Sequence, residues 1–258
     1  MLIALASAGL GGWWMRRAHR QDAAAIRRAA ATRYEADADV AVHIATHEAR
    51  SRGHHWLSSL HLLYGRLQDE TVVGAIRGCG GDPDALEDRV LDGLDAHAST
   101  LAAGQAAGAM LAYALDVGAQ TGRRPACVDL WAALLRSTSE ASALCDATAI
   151  DRVAVLFRLF HGEAQGPLDD RKGDVDIVLR NDNYTTKEFV CEVLQRVFAI
   201  PSDAAITQMK ATHEQGRTVV GRYRATDARA KVLEARRLAT ESGFPLWIGV
   251  EPAPAPLR

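Results

Sequence analysis

The chain has 258 residues, enough for two compact domains, each with its own core. A hydrophobic share of 48%, a charged share of 24% and a formal net charge of -2 are those of an ordinary globular protein, and offer no electrostatic footprint for nucleic acid. The four cysteines, Cys79, Cys127, Cys145 and Cys191, stand far apart with no CxxC pair, which argues against disulfides and a zinc site and fits a reducing cytoplasm.

Residues 1–15 form an apolar N-terminal segment. It ends in Trp13-Trp14 and is followed at once by Arg16, Arg17, His19 and Arg20. A secretory leader carries its positive charge ahead of the apolar run, and here the order is reversed. That order suits a short anchor over residues 2–15 in the inner membrane with the remainder of the chain in the cytoplasm. The run is shorter than the ~20 residues a spanning helix needs, so a buried or frayed helix or a misplaced start codon stands beside that reading. Residues 16–38, rich in Arg, Ala, Asp and Glu, read as a charged helical tether.

From 39 to 162 the pattern is helical. Val42, Ala45 and Ala49 mark one apolar face. Ser58 is placed to cap a helix over Leu60 to Leu67. Gly78 to Gly81 break the chain, and Pro83 opens a helix whose Leu86, Val90, Leu91 and Leu94 share one side. The block then repeats. Met110 to Val117 is helical, Gly122 to Pro125 turns, and Asp129 to Leu135 matches His61 to Leu67 at an offset of 68 residues. Ala149 to Phe160 closes the second half as Ala85 to Leu94 closes the first. Residues 163–173, with Gly166-Pro167, read as a linker.

Residues 174–258 change character. Val175, Ile177 and Leu179 alternate along a strand, and Asn181-Asp182-Asn183 makes a polar turn. Thr185 to Glu188 has the spacing of a capping box ahead of a helix ending near Ala199. Pro201-Ser202 starts a second helix that stops at Gly216. Thr218 to Arg224 is a strand, Thr226-Asp227 caps a third helix, and Leu246 to Val250 is a last strand. The expected fold is multidomain: an all-α tandem-repeat helical domain followed by a small α+β domain of order β-α-α-β-α-β, with helices on one side of the sheet.

Two resemblances follow. Ser58 to Leu63 with Leu67, then Gly122-Arg123-Arg124-Pro125, Asp129 to Leu135 and Phe160-His161-Gly162, resemble the N-terminal domain of the Clp unfoldases, a tandem pair of four-helix repeats. Leu60 stands where that family usually has an acid. No GxxxxGK[ST] occurs in the chain, so the unfoldase's ATPase machinery is absent from it. Asn181-Asp182-Asn183-Tyr184-Thr185-Thr186-Lys187-Glu188-Phe189-Val190, Met209 through His213 to Gly216, and Pro245-Leu246 occur in the order seen in the ClpS adaptors. This resemblance implies a non-enzymatic adaptor domain, without cofactor or metal, that binds N-terminal degron residues of other proteins and delivers them to a Clp AAA+ protease.

Carried over residue by residue, the ClpS resemblance implies that Asn181, Asp182 and His213 bind the substrate's terminal amine. It implies a side-chain pocket of Thr185, Lys187, Val190, Met209, Thr212 and Leu246 for a bulky hydrophobic residue, and a face for a ClpA-like unfoldase that includes Thr226 and Lys231. Taken alone, the same residues have plainer readings: a turn, two core side chains and a structural histidine. Asn183 replaces a commoner second acid, Lys187 a commoner methionine, Thr212 a commoner valine and Thr226 an acid. These departures make the rim more polar and more positive. His43, His47, His54, His55 and His61 lack the order and third ligand of a zinc site. An alternative function is a self-docked regulatory or decoy scaffold, because the adaptor-like domain shares a chain with a relative of its usual partner.

Overall fold

The computed structural model describes residues 33–96, 101–166, 168 and 173–253. The expected membrane anchor at 2–15 and most of the tether lie outside the described residues; among these, no helix is long and apolar enough to cross a membrane. The chain divides into two compact units, Met1–Val155 and Leu156–Arg258. The division falls inside a helix, ahead of the stretch at 163–173 expected to be the linker.

The first unit is helical: α1 (Ala36–Ser51), α2 (Ser59–Leu67), α3 (Glu70–Gly78), α4 (Pro83–Ala96), α5 (Leu101–Thr121), α6 (Cys127–Arg136), α7 (Glu140–Ala147) and the start of α8 (Arg152–His161). Leu60, Leu63 and Leu67 of α2, Leu86 and Val90 of α4, and Leu130, Trp131 and Leu134 of α6 are all buried. Gly65 lets α1 and α2 touch, since a Cβ there would run into the Ala41 carbonyl. The Arg123 guanidinium grips Asp129 through two bonds of 2.7 and 2.8 Å, while Asp129 also accepts the Ala126 N–H at the head of α6.

Ser58 caps α2 as its sequence suggests, and its partner in the capping box is His61. The Ser58 N–H donates to His61 Nδ1 at 3.0 Å, so the ring proton sits on Nε2 and donates to His54 Nδ1, also at 3.0 Å. Protonating His61 would put a second N–H against that of Ser58. Burial, with His54 beside it, pushes the His61 pKa down to about 4.

The second unit opens with the end of α8 and continues β1 (Asp174–Arg180), α9 (Lys187–Phe198), α10 (Ser202–Gln215), β2 (Arg217–Arg224), α11 (Ala225–Glu241) and β3 (Trp247–Pro252). The sheet order is β2-β1-β3, antiparallel throughout, with Ile177 opposite Gly221 on one side and Val250 on the other. Val175, Ile177 and Leu179 join Phe189, Val193, Leu194, Val232, Leu238 and Ile248 in a single core.

Three local expectations change. The central strand is buried on both faces, Asp176 and Val178 included: their cross-strand neighbours on β2 are Arg222 and Val219, and Arg222 holds Asp176 at 2.7 and 3.1 Å. The residue that caps α9 is Thr186, whose hydroxyl accepts from Phe189 N, since Thr185 is already held by Asp182. Helix α11 begins at Ala225, with no side-chain cap from Thr226 or Asp227.

A depressed histidine pKa favours folding above the unfolded value of ~6.5, and that contribution is lost as pH falls toward the folded value. The first unit is therefore expected to lose up to ~3 kcal/mol between pH 6.5 and 4. Thermal unfolding across that range should show the slope, and His61→Gln, which keeps a box-forming side chain, should flatten it. An unchanged slope in His61→Gln would contradict this account.

Candidate functional site

The site gathers where β1 ends. The chain leaves the sheet at Arg180, and the Asn181 N–H donates to the Gly216 carbonyl at 2.8 Å, tying the end of β1 to the end of α10. Gly216 adopts φ +79, a left-handed conformation glycine reaches without strain, and this stops α10 so that its last turn faces Asn181. His213 in that turn is exposed, with Nδ1 3.4 Å from Asn181 Oδ1; an acceptor at Oδ1 places the proton on Nδ1. Two of the three expected amine contacts are thus neighbours, though 32 residues apart in sequence.

Asp182 is the third, and it is buried, with 7% of its surface exposed. Its Oδ1 accepts the N–H groups of Tyr184 at 2.8 Å and Thr185 at 2.6 Å, and its Oδ2 accepts the Thr185 hydroxyl at 2.7 Å. Burial raises its pKa against the pull of these hydrogen bonds, and His161 nearby pulls it down further. The result is a carboxylate held by neutral donors in a low-dielectric corner, where a cation is worth more than it is in water.

The expected pocket residues divide. Met209 and Thr212 lie one turn apart on α10 and are both buried. The Thr212 hydroxyl is used inward, on the Gln208 carbonyl at 2.9 Å and the Thr218 hydroxyl at 2.6 Å, so its polarity is absorbed within the fold. Leu246 is 1% exposed and belongs to the core, with the half-buried Val190 packed against the same cluster. Thr185 is half-buried and Lys187 exposed. On the expected docking face Thr226 is exposed. Lys231 instead turns its ammonium onto the Val197 carbonyl at 2.7 Å, near the C-terminal end of α9, between the rings of Phe198 and Tyr223.

The sequence reading missed a set of neighbours from the end of α8 and the stretch after it. His161 Nε2 donates to the Pro245 carbonyl at 3.0 Å, and Gln165 Nε2 donates to the Leu246 carbonyl at 3.3 Å. Phe160 meets the buried ring of Tyr184 edge-on at 5.4 Å. Arg180 stacks 3.7 Å over Trp247, and both donate to Glu163 at 3.3 Å. In sequence these residues read as the end of a helical repeat and a linker. Their paired acidic and amide side chains carry no pattern that points to a partner 80 residues on.

Asp37, Asp69 and Cys127 are the one metal-capable grouping among the described residues. Helix ends account for it. Asp69 caps α3 through Thr71 and Val72, Asp37 accepts the Cys127 N–H at the head of α6, and burial holds the Cys127 thiol far above its ordinary pKa.

Three comparisons bear on the site. The sequence pattern of the family described as ATP-dependent Clp protease adaptor protein ClpS matches residues 170–249. A ClpS adapter protein from Pectobacterium carotovorum is 38% identical over 78 residues, covering 30% of this chain and 74% of the relative. One from Wolinella succinogenes is 43% identical over 70 residues, covering 27% and 69%. Among solved structures, Agrobacterium tumefaciens ClpS2 bound to L-phenylalaninamide is 37% identical, with a TM-score of 0.31, covering 32% of this chain and 100% of that one.

Replacing Asp182 separates its structural part from any other. Asp182→Ala removes the acceptor for two backbone N–H groups and is expected to cost ~1–2 kcal/mol of stability. Asp182→Asn keeps an acceptor oxygen, and Asn and Asp cap about equally well, so its loss is expected to be clearly smaller than that of Asp182→Ala. Denaturant unfolding of both variants checks this, and equal losses would contradict the capping role.

Proposed function

The chain belongs to the ClpS adaptor family through its C-terminal region, and from that premise we propose that it captures proteins by their N-terminal residue and hands them to a Clp protease. One observation carries this reading: Asn181, the neighbour in sequence of the buried Asp182 carboxylate, meets His213 from the end of α10 at 3.4 Å. The apolar residues Val190 and Met209 lie on α9 and α10, and Leu246 just ahead of β3. A free N-terminus offers an ammonium and one side chain, and this corner offers a countercharge, hydrogen-bonding groups and an apolar floor. A charge-assisted bond to the ammonium contributes ~1.5–3 kcal/mol. Burial of a bulky side chain adds up to ~5 kcal/mol before the cost of association. The preferred ligands are then proteins led by Phe, Tyr, Trp or Leu, and the partner is a ClpA-like AAA+ unfoldase. Neither step breaks a covalent bond, in keeping with relatives named as adapter proteins.

The helical unit supports the second resemblance. The starts of α2 and α6, Ser59 and Cys127, are 68 residues apart; those of α3 and α7, Glu70 and Glu140, are 70 apart; those of α4 and α8, Pro83 and Arg152, are 69 apart. Helices of similar length recurring at nearly one spacing fit a duplicated four-helix unit of the Clp N-terminal type. A second function, a regulatory or decoy scaffold, is favoured by the inward commitment of Lys231 and by Thr226 in place of an acid. Both features weaken the face that would dock an unfoldase in trans. Pull-down of a Clp unfoldase with and without residues 39–162 decides between them: stronger capture after deletion favours the scaffold, and equal capture favours the adaptor.

Peptide binding tests the main reading. Phe- and Leu-led peptides are expected to bind at least tenfold more tightly than Ala-led ones, and Asp182→Ala to weaken binding of all three at least tenfold. Equal binding of all three, or unchanged binding in the variant, would reject it. The raised pKa of Asp182 sets the pH dependence. Ammonium binding needs the ionised form, so affinity should fall with acidification at a pH above the ordinary carboxylate range near 3.8.

A further inference from the structure

The second unit contains more than the expected adaptor domain. It starts at Leu156, so the end of α8 and the stretch to Gly166 are part of it. Gly162, at φ +75, ends the helix and turns the chain, and nothing lies within 4 Å of the position a Cβ would take. Residues 162–164 are exposed, so the stretch is held chiefly by side chains reaching back onto the unit.

Those side chains land on the recognition corner. His161 and Gln165 bond the carbonyls of Pro245 and Leu246, the dipeptide leading into β3. Phe160 lies on Tyr184, whose N–H is one of the donors to Asp182. Glu163 fastens the middle of the stretch to Arg180 and Trp247 at the sheet edge. The contacts thus fall on both flanks of Asp182. His161 and Asp182 lie close enough to influence each other's protonation, and Arg180 and Glu163 are the other charged groups acting on His161. In this arrangement the two groups a ligand needs most, the Asp182 carboxylate and the Leu246 side chain, are 7% and 1% exposed.

We propose that Phe160–Gly166 is a strap that closes the amine-binding corner from within the chain: the end of α8 has to release its contacts and the stretch after Gly162 has to lift away before an N-terminal residue can be held. The proposal rests on the adaptor reading and adds the regulation of that same site. Closure imposes a threshold. The strap's bonds compete with each incoming N-terminus, and a ligand whose contacts do not exceed them is refused. The strap continues α8, so anything that holds α8 also biases the strap.

The test uses the full chain and a fluorescent Phe-led peptide, read by anisotropy. Glu163→Gln combined with Gln165→Ala removes strap contacts at exposed and half-buried positions. His161→Ala, in a separate variant, removes the bond to Pro245. The double variant is expected to bind about tenfold more tightly than the parent chain, the equivalent of ~1.4 kcal/mol. Binding by the variant where the parent chain shows none supports the strap equally. Unchanged or weaker binding in the double variant overturns it while leaving the adaptor reading in place, and absence of binding in every form overturns both. Should His161→Ala fail to fold, the double variant decides. Hydrogen exchange of the amides at 162–165 adds an independent readout: saturating peptide should speed exchange there, and slower or equal exchange contradicts an opening strap.

Discussion

A buried carboxylate at a chain reversal is the constraint on which the second unit depends. Asp182 follows the central strand and precedes α9, and its oxygens accept the N–H groups that the turn would otherwise leave unpaired. Without that acceptor the chain has no inexpensive route from β1 into α9, because buried orphan amides cost about as much as a lost cap. The same oxygens are the anionic group that the proposed site offers an ammonium. In the proposed reading, structure and recognition draw on one side chain: its burial fixes the turn and keeps the charge in surroundings where a cation is valued.

The remaining parts of the fold bring partners to that residue. β1 lies between β2 and β3, so its end is fixed from both sides. The Asn181–Gly216 bond brings the last turn of α10 alongside, and with it His213, Met209 and Thr212. Leu246 precedes β3, and Arg236 of α11 donates to the Ile248 carbonyl at 2.9 Å to hold that strand against its helix. The core of aromatic and branched side chains beneath leaves little freedom in how these elements pack.

Much of this was legible in the sequence. The β-α-α-β-α-β order follows from alternating Val175, Ile177 and Leu179, from Thr186 ahead of Phe189 and from Gly216 after a helical run. These are local signals, each acting within a few residues. The Asn181–His213 neighbourhood came from the order of family motifs, since nothing in 32 residues of separation announces it. What stayed hidden depends on distant partners. Asp176 reads as a solvent-facing residue until Arg222 is placed opposite it. Lys231 reads as a free surface cation until the Val197 carbonyl is placed beneath it. Phe160 to Gln165 read as the end of one domain and a linker, because helical periodicity and a Gly-Pro pair say nothing about which neighbour such a segment lies against.

Whether this corner holds a free N-terminal ammonium is tested most directly by chemical removal of that charge. Calorimetric titration of the full chain with a Phe-led peptide and with its N-acetylated twin changes that one group and leaves the side chain intact. Acetylation is expected to weaken binding by roughly ten- to a hundredfold, the loss of a charge-assisted bond in a buried setting. Equal affinity for the two peptides would contradict it.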